Sequence, residues 1–515
     1  MPVKSIKSDL TSRQMRSLET NAEYFGISLL QLMENAGSSV AALVAERFSK
    51  DEKVAIFCGL GGNGGDGFVA ARHLLSLGYS VSVILAGSER DIIHNPALKN
   101  WQALQFLRQS IRIFEVTDSS VIPQVEANVV VDALLGTGAK GNLRPPMSQL
   151  VEYINTLKAF KIAVDTPTGV DSDTGEIKSN AVRADVTLTF HKAKRGLQSA
   201  TKYTGELLVK NIGLPKELEK YAGPGDVFLA TKARSKGAHK GDFGRLLVVG
   251  GSEVFSGAPA LVALAALRTG VDIAYLAAPT KTAQAISSFS PDLITVKLEG
   301  KHLNMNNVTA LTPFVEAVDA VVLGPGLGLH TETVDFVRAF VSVVEKVGKP
   351  LLLDADGLKA FAQFRRQLKI PVVFTPHSGE YTILTNKELP ENIEDRVSAV
   401  EKTAETLGGV ILLKGPIDVV CNGKQTKLNL TGNPGMTVGG TGDLLAGVIG
   451  AFLAQKVDPF EAAVAGAFVN GAAGDFLANE IGHHMVATDL LNWIPRVLDD
   501  PMSHLKVRKT SGKTA

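Results

Sequence analysis

The chain has 515 residues, a length that suits about three domains of ordinary size or two large ones. Its 53 basic and 52 acidic side chains leave a formal net charge of +1, so the overall charge gives no reason to expect nucleic acid or an anionic membrane as a partner. Only two cysteines occur, far apart at positions 58 and 421, which argues against a disulfide framework and favours a reducing compartment. The polar first stretch, MPVKSIKSDLTSRQ, lacks the apolar segment of a signal peptide, so we expect a cytoplasmic protein.

The first part of the chain alternates helices with short strands. Helical periodicity covers residues 11–48. The strand-like runs that follow are rich in β-branched residues: VAIFCG (54–59), SVSVILAG (80–87), VVVDALLG (129–136), KIAVDTPTG (161–169) and ADVTLTF (184–190). This alternation predicts a parallel sheet with helices on both faces.

The alternation begins again after a charged stretch rich in Pro and Gly at 213–240, which we interpret as a linker. The second series of strand-like runs is GRLLVVGGS, VDIAYLAAPT, AVVLGPGLG, KPLLLDADGL, IPVVFTPHSGE and GGVILLKG, and the final helices cover 443–497. The most apolar segment, SGAPALVALAALRTGVDIAYLAAP, contains Arg268 and Asp272, and it indicates a buried helix and a strand instead of a membrane span. We therefore predict two α/β domains.

The segment LGGNGGDGF (60–68) follows the first strand and opens a helix, which places backbone N–H groups where they bind phosphate. It fits G-x-G-x-x-G, but the acidic residue that a redox Rossmann domain needs at the end of its second strand is missing from VILAGSER, where Glu89 follows a glycine and a serine. The sequence contains no G-x-x-x-x-G-K-[ST] motif. Asn63 and Asp66 inside the loop instead suggest a metal site or a proton-transfer site.

Polar residues also follow other strands of the first domain. Asp132 ends one strand, and Asp165 ends the next, with Thr168 three residues later. Because the C-terminal ends of parallel strands share one edge of a sheet, we expect these residues to be neighbours of Asn63. A single aspartate after a strand is more often a turn or helix cap, but several beside glycine loops favour a functional site.

Five motifs of the first domain resemble the NAD(P)HX epimerase family over nearly all of residues 10–215: LMENAG (32–37), GGNGGDG (61–67), VDALLGTG (131–138), VDTPTGVD (164–171) and TFHKAKRG (189–196). The resemblance implies a Rossmann-like three-layer αβα domain and a potassium ion bound by Asn63, Asp132 and Thr168. The residues that it implies for binding the hydrated nucleotide are Gly62, Asn63, Gly64, Gly65, Asp66, Gly136, Thr137, Gly138, Ala139, Lys140, Gly141, Asn142 and Asp165. Lys192 and Lys194 are given no role, since exposed lysines usually only solvate a surface.

The substrate of that family is a nicotinamide cofactor that has gained water across its ring. The added hydroxyl at C6 lies beside the ring nitrogen, so its departure leaves a nitrogen-stabilised cation to which water can return on either face. Our hypothesis is that Asp165 is the catalytic residue that carries the proton, a role that contributes ~10²–10⁴-fold in general acid–base catalysis.

The segment TVGGTGDLLAG (437–447) is a second glycine turn, which enters an apolar helix. The N–H groups of residues 439–442 are expected to point at an anion, assisted by the helix dipole. Asp443 at this position either complements the dipole or deprotonates a hydroxyl that attacks a phosphoryl group.

The context of this loop resembles the NAD(P)HX dehydratase family over about 230–498. The motifs are KGAHKGDFG (236–244), GPGLG (324–328), LLDADGL (352–358), TPHSGE (375–380), LLKG (412–415) and GNPGMTVGGTGD (432–443). The resemblance implies a ribokinase-like αβα fold, Asp443 as the catalytic residue, and contacts to the hydrated nucleotide from Ala258, Gly326, His377 and Asp443. The residues that it implies for the adenine nucleotide are Lys414, Gly415, Pro416, Ile417, Asp418, Asn433, Pro434, Gly435, Met436, Thr437, Val438, Gly439, Gly440, Thr441 and Gly442.

Phosphorylating the C6 hydroxyl would turn it into a good leaving group, after which elimination restores the dihydronicotinamide. By analogy with the wider kinase superfamily, Glu380 binds Mg²⁺ through water. The fused members of this family generally use ADP and release AMP and phosphate, but the residues themselves leave ADP and ATP open.

We therefore predict an epimerase domain (1–222), a dehydratase domain (223–503) and a short basic tail (504–515), with S-NAD(P)HX passing from the first activity to the second. The expected partners are NADHX, NADPHX and ADP, without nucleic acid or membrane, in a homo-oligomer. The main alternative is a small-molecule kinase of the ribokinase superfamily fused to a nucleotide-binding Rossmann domain. A scaffold that kept its nucleotide pockets is a second alternative, although the retained aspartates argue against it.

Overall fold

The structure of the protein, a computed structural model, describes residues 10–138 and 141–510. The chain divides after Leu218 into two compact units, each built on a parallel or largely parallel sheet. The prediction of a two-domain α/β protein is confirmed. Within the described ranges, no helix is both long enough and apolar enough to cross a membrane.

The first unit contains a seven-stranded sheet in which all strands run parallel. Its strands are β1 (Lys53–Cys58), β2 (Ser80–Leu85), β3 (Arg112–Glu115), β4 (Val129–Ala133), β5 (Phe160–Val164), β6 (Val186–Phe190) and β7 (Glu206–Lys210). Its helices are α1 (Ser12–Tyr24), α2 (Leu29–Arg47), α3 (Gly62–Ser76), α4 (Asn95–Gln105), α5 (Met147–Thr156) and α6 (Thr201–Thr204). The strand order is β3-β2-β1-β4-β5-β6-β7, so the connections reverse direction between β1 and β4, the switch point at which such sheets bind ligands.

Burial on both faces explains the apolar composition of the central strands. β4 and β6 are buried at every residue, as is β1 except at Lys53. Glycine lets α2 and α3 pack closely, because a Cβ on Gly37 would lie only 2.5 Å from the carbonyl oxygen of Asp66. This packing fixes the start of α3 beside the C-terminal end of β1.

The second unit contains a nine-stranded sheet in the order β10-β9-β8-β11-β12-β13-β14-β15-β16. Its strands are β8 (Arg245–Val249), β9 (Ile273–Pro279), β10 (Ile294–Leu298), β11 (Ala320–Leu323), β12 (Leu351–Leu353), β13 (Val372–Phe374), β14 (Val410–Leu413), β15 (Asp418–Cys421) and β16 (Thr426–Asn429). The strands are parallel except for the last two pairings, β14 with β15 and β15 with β16, which are antiparallel.

The helices of the second unit cover both faces of this sheet and its C-terminal end. They are α7 (Pro224–Ala230), α8 (Gly257–Arg268), α9 (Thr280–Ile286), α10 (Met305–Ala317), α11 (Thr331–Val347), α12 (Ala355–Ala362), α13 (Ser378–Thr385), α14 (Ile393–Leu407), α15 (Thr441–Ala454), α16 (Pro459–Ile481), α17 (Ala487–Leu490), α18 (Ile494–Asp499) and α19 (His504–Thr510). The apolar segment predicted to form a buried helix and a strand is α8 followed by β9, which confirms that prediction.

Helix α15 lies in the core of the second unit, with every residue of Leu444–Ala454 buried. It packs on α8 and α16. A Cβ on Gly447 would lie 2.3 Å from the carbonyl oxygen of Val262 in α8, so glycine is needed for this approach. The buried body of α15 holds its first turn, which carries the second glycine loop, in a fixed position.

Part of the predicted linker belongs to the second unit, and for this part the linker interpretation is wrong. Tyr221 forms a parallel β-bridge with Leu428 of β16, and α7 packs on α16. Asp226 of α7 forms an ion pair with Lys427 at 2.5 Å. The charged composition that suggested a linker therefore includes charges that are paired within the fold.

Candidate active sites

The first glycine loop joins β1 to α3. A Cβ on Gly64 would lie 1.8 Å from the carbonyl oxygen of Gly59, so only glycine permits this turn. The first N–H groups of a helix have no carbonyl partner within it, so the start of α3 offers donors to an anion. The five residues predicted here, Gly62, Asn63, Gly64, Gly65 and Asp66, all lie in the first turns of α3.

The three predicted potassium ligands border one short segment, Leu135–Gly136. Asp132 is fully buried and accepts hydrogen bonds from the backbone N–H of Thr168 at 2.8 Å and from its hydroxyl at 2.7 Å. The hydroxyl oxygen of Thr168 accepts the N–H of Leu135 at 3.0 Å. On the other side, a Cβ on Gly136 would lie 3.1 Å from Oδ1 of Asn63. Burial raises the pKa of Asp132 to about 6, against the opposing effect of the bonds from Thr168.

Asn63 carries a buried side-chain amide nitrogen that has no hydrogen-bond partner among the described residues. A buried polar atom without a partner is costly, and a bound ligand or ion is the usual explanation. Since the two ends of an amide are assigned from their neighbours, the same side chain can turn its oxygen toward this space.

Asp165 follows β5 in the left-handed region, with φ of 61°. Its Oδ1 accepts the hydroxyl of Thr189 at 3.0 Å and the N–H of Phe190 at 3.4 Å, and it forms an ion pair with Nζ of Lys194. Lys194 is 1% exposed and also donates to Thr189 at 3.0 Å and to the carbonyl of Phe190 at 3.1 Å. The interpretation of Lys194 as a surface lysine is therefore wrong, because its amine neutralises a carboxylate at the end of the sheet.

The loop 136–142 is only partly described, and the predicted residues Ala139 and Lys140 lie outside the described residues. Thr137 and Gly138 precede that gap, and a Cβ on Gly138 would lie 3.4 Å from Nη2 of Arg16 in α1. After the gap, the predicted Gly141 and Asn142 line a cavity of about 270 Å³ together with Leu135, Leu143, Arg144, Pro145, Pro146, Met147, Gly169, Asp171, Glu176 and Lys178. The structure thus places the second end of this loop, Gly141 and Asn142, beside space for a ligand.

Two further carboxylates interact electrostatically with Asp165. Burial holds the pKa of Asp66 well above its usual range, and the charges of Asp165 and Glu19 add to this effect. Burial and the charge of Asp165 together raise the pKa of Glu19 to about 7, against the opposing charges of Lys194 and Arg16. Glu19 was not predicted, because α1 lies outside the motifs and a glutamate on an amphipathic helix normally faces solvent.

In the second unit, Asp443 lies in the first turn of α15, directly after the glycine loop. Gly440 at the helix start has φ of 101°, a conformation that favours glycine. Burial and the charge of Asp354 together raise the pKa of Asp443 to about 7, against the opposing charge of Lys414. A carboxylate with a pKa near neutrality is suited to remove a proton at physiological pH.

The side-chain amine of Lys414 lies between the second glycine loop and the carboxylates that follow β12 and β13. Its Nζ lies 2.9 Å from Oδ1 of Asp354 and 3.8 Å from Oε2 of Glu380. A Cβ on Gly442 would lie 3.4 Å from the same Nζ. Burial lowers the pKa of Lys414, but the charges of Asp354 and Glu380 outweigh this and raise it, so the amine stays charged beside the anion loop.

His377 combines a structural role with an exposed position. Its ring Nδ1 caps α13 by accepting the backbone N–H groups of Gly379 at 3.0 Å and Glu380 at 3.4 Å. The backbone N–H of His377 donates to the Glu380 carboxylate at 3.0 Å. The imidazole is 58% exposed, whereas Glu380 is 4% exposed. The capping role and the predicted substrate contact are therefore compatible, because the other face of the ring stays accessible.

A cavity of about 780 Å³ lies between the loop after β14 and the glycine loop. Predicted residues that line it are His377, Lys414, Gly415, Pro416, Asp418, Asn433, Pro434, Met436, Thr437, Val438, Thr441 and Gly442. The predicted Ile417, Gly435, Gly439 and Gly440 belong to the same loops but not to its wall. Asn470, which also lines the cavity, has a buried carboxamide oxygen without a partner among the described residues, so the wall holds an unused acceptor.

The remaining predicted substrate residues, Ala258 and Gly326, are neighbours outside that cavity wall. A Cβ on Gly326 would lie 3.5 Å from the Cβ of Ala258. Nearby, Asp356 accepts the N–H of Gly328 at 2.9 Å, and the charge of Asp356 acts on Asp443. Asp356 therefore connects the loop of Gly326 and Gly328 electrostatically to Asp443.

Asp475 of α16 holds Gly432 and Asn433, at the start of the predicted nucleotide-binding segment 433–442. Its carboxylate accepts the N–H of Gly432 at 2.9 Å and the amide of Asn433 at 3.1 Å, and it lies 3.1 Å from Nε2 of His504. Burial raises the pKa of Asp475, but these bonds and the charge of His504 lower it below its usual value. His504 is 2% exposed, so the first residue of the predicted basic tail is part of the support of this loop.

Replacing His504 with alanine is expected to weaken ADP binding by about tenfold, or about 1.4 kcal/mol, because Asp475 loses one of the partners that fix its carboxylate. Calorimetric titration with ADP measures this change. His504→Gln keeps a donor within reach of Asp475 and is the matched control, with a smaller loss expected. Binding of ADP to the alanine variant with wild-type affinity would contradict this role.

Comparison with known proteins relates both units to described families. A family model described as YjeF-related protein N-terminus matches residues 29–196, and one described as NAD(P)H-hydrate dehydratase matches residues 246–496.

Two relatives that match nearly the whole chain share the name bifunctional NAD(P)H-hydrate repair enzyme Nnr. The relative from Pyrobaculum aerophilum is 46% identical, over 95% of this chain and 98% of its own. The relative from Hyperthermus butylicus is 42% identical, over 97% of this chain and 94% of its own. A solved structure of ADP/ATP-dependent NAD(P)H-hydrate dehydratase from Bacillus subtilis, co-crystallised with ATP/Mg²⁺, is 26% identical with a TM-score of 0.45, over 53% of this chain and 96% of that one.

Proposed function

This chain belongs to the family of bifunctional NAD(P)H-hydrate repair enzymes, and on that premise we propose how its residues divide the work. The protein is an enzyme that epimerises R- and S-NAD(P)HX and uses a nucleotide to dehydrate S-NAD(P)HX to NAD(P)H. The observation that carries this function is the presence of both family regions, 29–196 and 246–496, in one chain that matches a bifunctional relative over 95% of its length.

We assign the epimerase to residues 1–222, with Asp165 as its catalytic residue. The glycine-rich start of α3 and the loop 136–142 would bind the nucleotide part of NAD(P)HX. The ion pair with buried Lys194 supports this role, because it holds the carboxylate of Asp165 in place at the end of the sheet. Thr189 and the backbone of Phe190 hold the carboxylate in one orientation.

The donor set at Leu135–Gly136 fits a potassium ion. Asn63, Asp132 and Thr168 offer an amide, a carboxylate and a hydroxyl, and oxygen donors are the ligands of hard cations. The unpartnered amide of Asn63 supports a ligand at this point. When bound, the cation would supply positive charge that favours ionised Asp132 and orders the loop 136–142.

We assign the dehydratase to residues 223–503, with Asp443 as the base. Asp443 would take the proton of the C6 hydroxyl while the hydroxyl oxygen attacks the terminal phosphoryl group of the nucleotide. The N–H groups of the glycine loop and the amine of Lys414 would stabilise the negative charge on the transferring phosphoryl group. The lone pair of the ring nitrogen then forms a C=N bond to C6, phosphate leaves with the electrons of the C6–O bond, and loss of a C5 proton restores NAD(P)H. Asp443 lies directly beside the cavity proposed to hold the adenine nucleotide, which supports this order of events.

A magnesium ion fits the negative charge collected beside that cavity. The charges of Asp354, Asp356 and Glu380 all act on Asp443, and a hydrated divalent cation would neutralise these carboxylates. We propose that Glu380 would hold it through water, since Glu380 is buried and its lysine neighbours, Lys359 and Lys414, lie 4.0 and 3.8 Å away. ADP, converted to AMP and phosphate, is the proposed donor.

We further propose a cytoplasmic homo-oligomer whose small-molecule partners are NADHX, NADPHX and ADP. Cys58 and Cys421 are both free and buried, as expected in a reducing compartment. Ile93 and Phe106 of the first unit are 92% and 90% exposed, which suits a surface covered by another subunit.

The direct test is incubation of chemically hydrated NADH, containing both epimers, with the protein, K⁺, Mg²⁺ and either ADP or ATP. We expect complete recovery of NADH, measured by its absorbance, because the epimerase feeds the dehydratase. Replacing K⁺ with Na⁺ is expected to slow consumption of the R epimer and to leave that of the S epimer unchanged. A stable phosphorylated product without NADH would instead favour a small-molecule kinase.

A further inference from the structure

The first helix of the chain is fixed against the proposed epimerase site. Ser12 at the start of α1 donates its N–H and its hydroxyl to Asp173 at 2.6 and 2.7 Å. Just before it, Leu10 pairs in a parallel β-bridge with Lys194, the partner of Asp165. The match to the epimerase family model begins only at residue 29, so this helix is an addition to the motifs discussed above.

The helical phase of α1 separates a core face from a site face. Met15, Leu18 and Ala22 are buried at 3%, 6% and 0% exposure. Arg16 and Glu19 lie three positions apart and therefore on one side of the helix. Arg16 reaches the loop 136–142, since its Nη2 lies 3.4 Å from the Cβ position of Gly138.

Glu19 lies on this side of α1, about one helical turn after Arg16, and is partly buried. The groups that act on its charge come from three elements besides α1 itself: Asp165 after β5, Lys194 after β6, and Asp66 in α3. Arg16 is the charged neighbour on its own helix. Glu19 therefore shares one electrostatic cluster with the proposed catalytic residue and with the glycine loop.

We infer that Glu19 is the second proton-transfer group of the epimerase site and works with Asp165 on opposite faces of the nicotinamide ring. This inference rests on the proposed epimerase function, and it assigns a role to a residue that the motifs do not contain.

The reaction needs two such groups because water leaves one face and returns to the other. The carboxylic acid of Glu19 donates its proton to the C6 hydroxyl as the C6–O bond breaks, the electron pair leaves with water, and the ring nitrogen lone pair forms the C=N bond. A second water then attacks C6 from the opposite face while the carboxylate of Asp165 accepts its proton. Glu19 ends ionised and Asp165 protonated, which is the starting state for the reverse epimerisation.

The two groups have different surroundings. Burial and the charge of Asp165 place the pKa of Glu19 at about 7, so a large fraction stays protonated at neutral pH. Asp165 is instead held beside a buried ammonium group. Burial also raises the pKa of Asp66 well above its usual range.

The test is Glu19→Gln in the full-length protein, assayed by chromatographic conversion of purified R-NADHX to S-NADHX across pH 5.5 to 9, a range of about 1.5–2 units on either side of the expected pKa. We expect the epimerisation rate to fall about 10²-fold. We also expect the change in rate that the wild-type pH–rate profile shows near pH 7, its pH limb, to disappear. Glu19→Asp keeps a carboxyl group and is expected to retain part of the rate together with a pH limb. Glu46→Gln, at an exposed glutamate of α2, is the matched control and should behave as wild type.

Dehydration of purified S-NADHX by the same variant reports on the intact second unit and should be unchanged. If wild type and Glu46→Gln fail to epimerise R-NADHX, the proposed epimerase function fails. If they epimerise it and Glu19→Gln matches their rate or keeps the same pH limb, the inference about Glu19 is overturned. Should Glu19→Gln lose its folded first unit by circular dichroism, the pH profile of Glu19→Asp decides, and a limb identical in position to that of the wild type contradicts the role.

Discussion

Asp443→Asn is expected to abolish recovery of NAD(P)H from S-NAD(P)HX, lowering kcat by ~10²–10⁴-fold, the range of a general base. Asparagine has nearly the shape of aspartate but cannot accept the proton of the C6 hydroxyl. Purified S-NADHX with Mg²⁺ and ADP gives the rate directly through NADH absorbance. The wild-type rate should rise with pH through about 7, because Asp443 must be ionised to act and its pKa lies there.

The stability of this variant separates lost chemistry from lost structure. The pKa of Asp443 is raised from its ordinary value of 3.8 to about 7, so the folded state binds more protons than the unfolded state between these values. Stability contributed by this group is therefore lost as pH rises through that window. Asparagine carries no charge to desolvate, and we expect Asp443→Asn to unfold at an equal or higher temperature than wild type at pH 8.

The controls for Asp443→Asn come from the same molecule. Epimerisation of R-NADHX should continue at the wild-type rate, since Asp443 belongs to the second unit. ADP should still bind, because the side chain of Asp443 does not line the nucleotide cavity. Substantial dehydration by a correctly folded variant would remove Asp443 from the mechanism and leave the fold assignment untouched.

The alternation of strands and helices was predictable because it follows from burial. Central strands such as β4 and β6 are covered on both faces and therefore appear as continuous apolar runs. The glycine loops were also predictable, since a contact such as that of Gly64 with the carbonyl of Gly59 admits no other residue. These signals are local, so a single sequence contains them.

Pairings between distant elements were not predictable from the sequence. Lys194 meets a carboxylate 29 residues earlier in the chain, and nothing in its local sequence distinguishes it from a surface lysine. His504 likewise meets Asp475 across 29 residues, from a segment that appeared to be only a basic tail. Glu19 is similar, because its electrostatic partners Asp165 and Lys194 both come from other elements. Such groups become visible only when the fold places them at the same end of a sheet.

Asp165→Asn is expected to stop the epimerase, with a fall in kcat of ~10²–10⁴-fold, and to leave the R epimer unrepaired. The backbone should tolerate the change, since asparagine is among the residues that adopt the left-handed conformation found at Asp165. Its amide oxygen can still accept the hydroxyl of Thr189 and the N–H of Phe190. In an assay of mixed epimers, NADH recovery should stop when the S epimer is consumed, and added wild-type enzyme should restore it.

This substitution also leaves the charge of Lys194 buried without its partner, so the first unit should lose stability, by about 3–5 kcal/mol as for other broken buried pairs. The double variant Asp165→Asn with Lys194→Met removes that charge and should regain most of the unfolding temperature without regaining epimerase activity. Asp51→Asn, at an exposed aspartate of the same unit, controls for a changed surface charge. If the double variant recovered epimerisation along with stability, Asp165 would be a structural partner of Lys194 and the proton would have to be carried by another group, of which Glu19 is the nearest candidate in electrostatic terms.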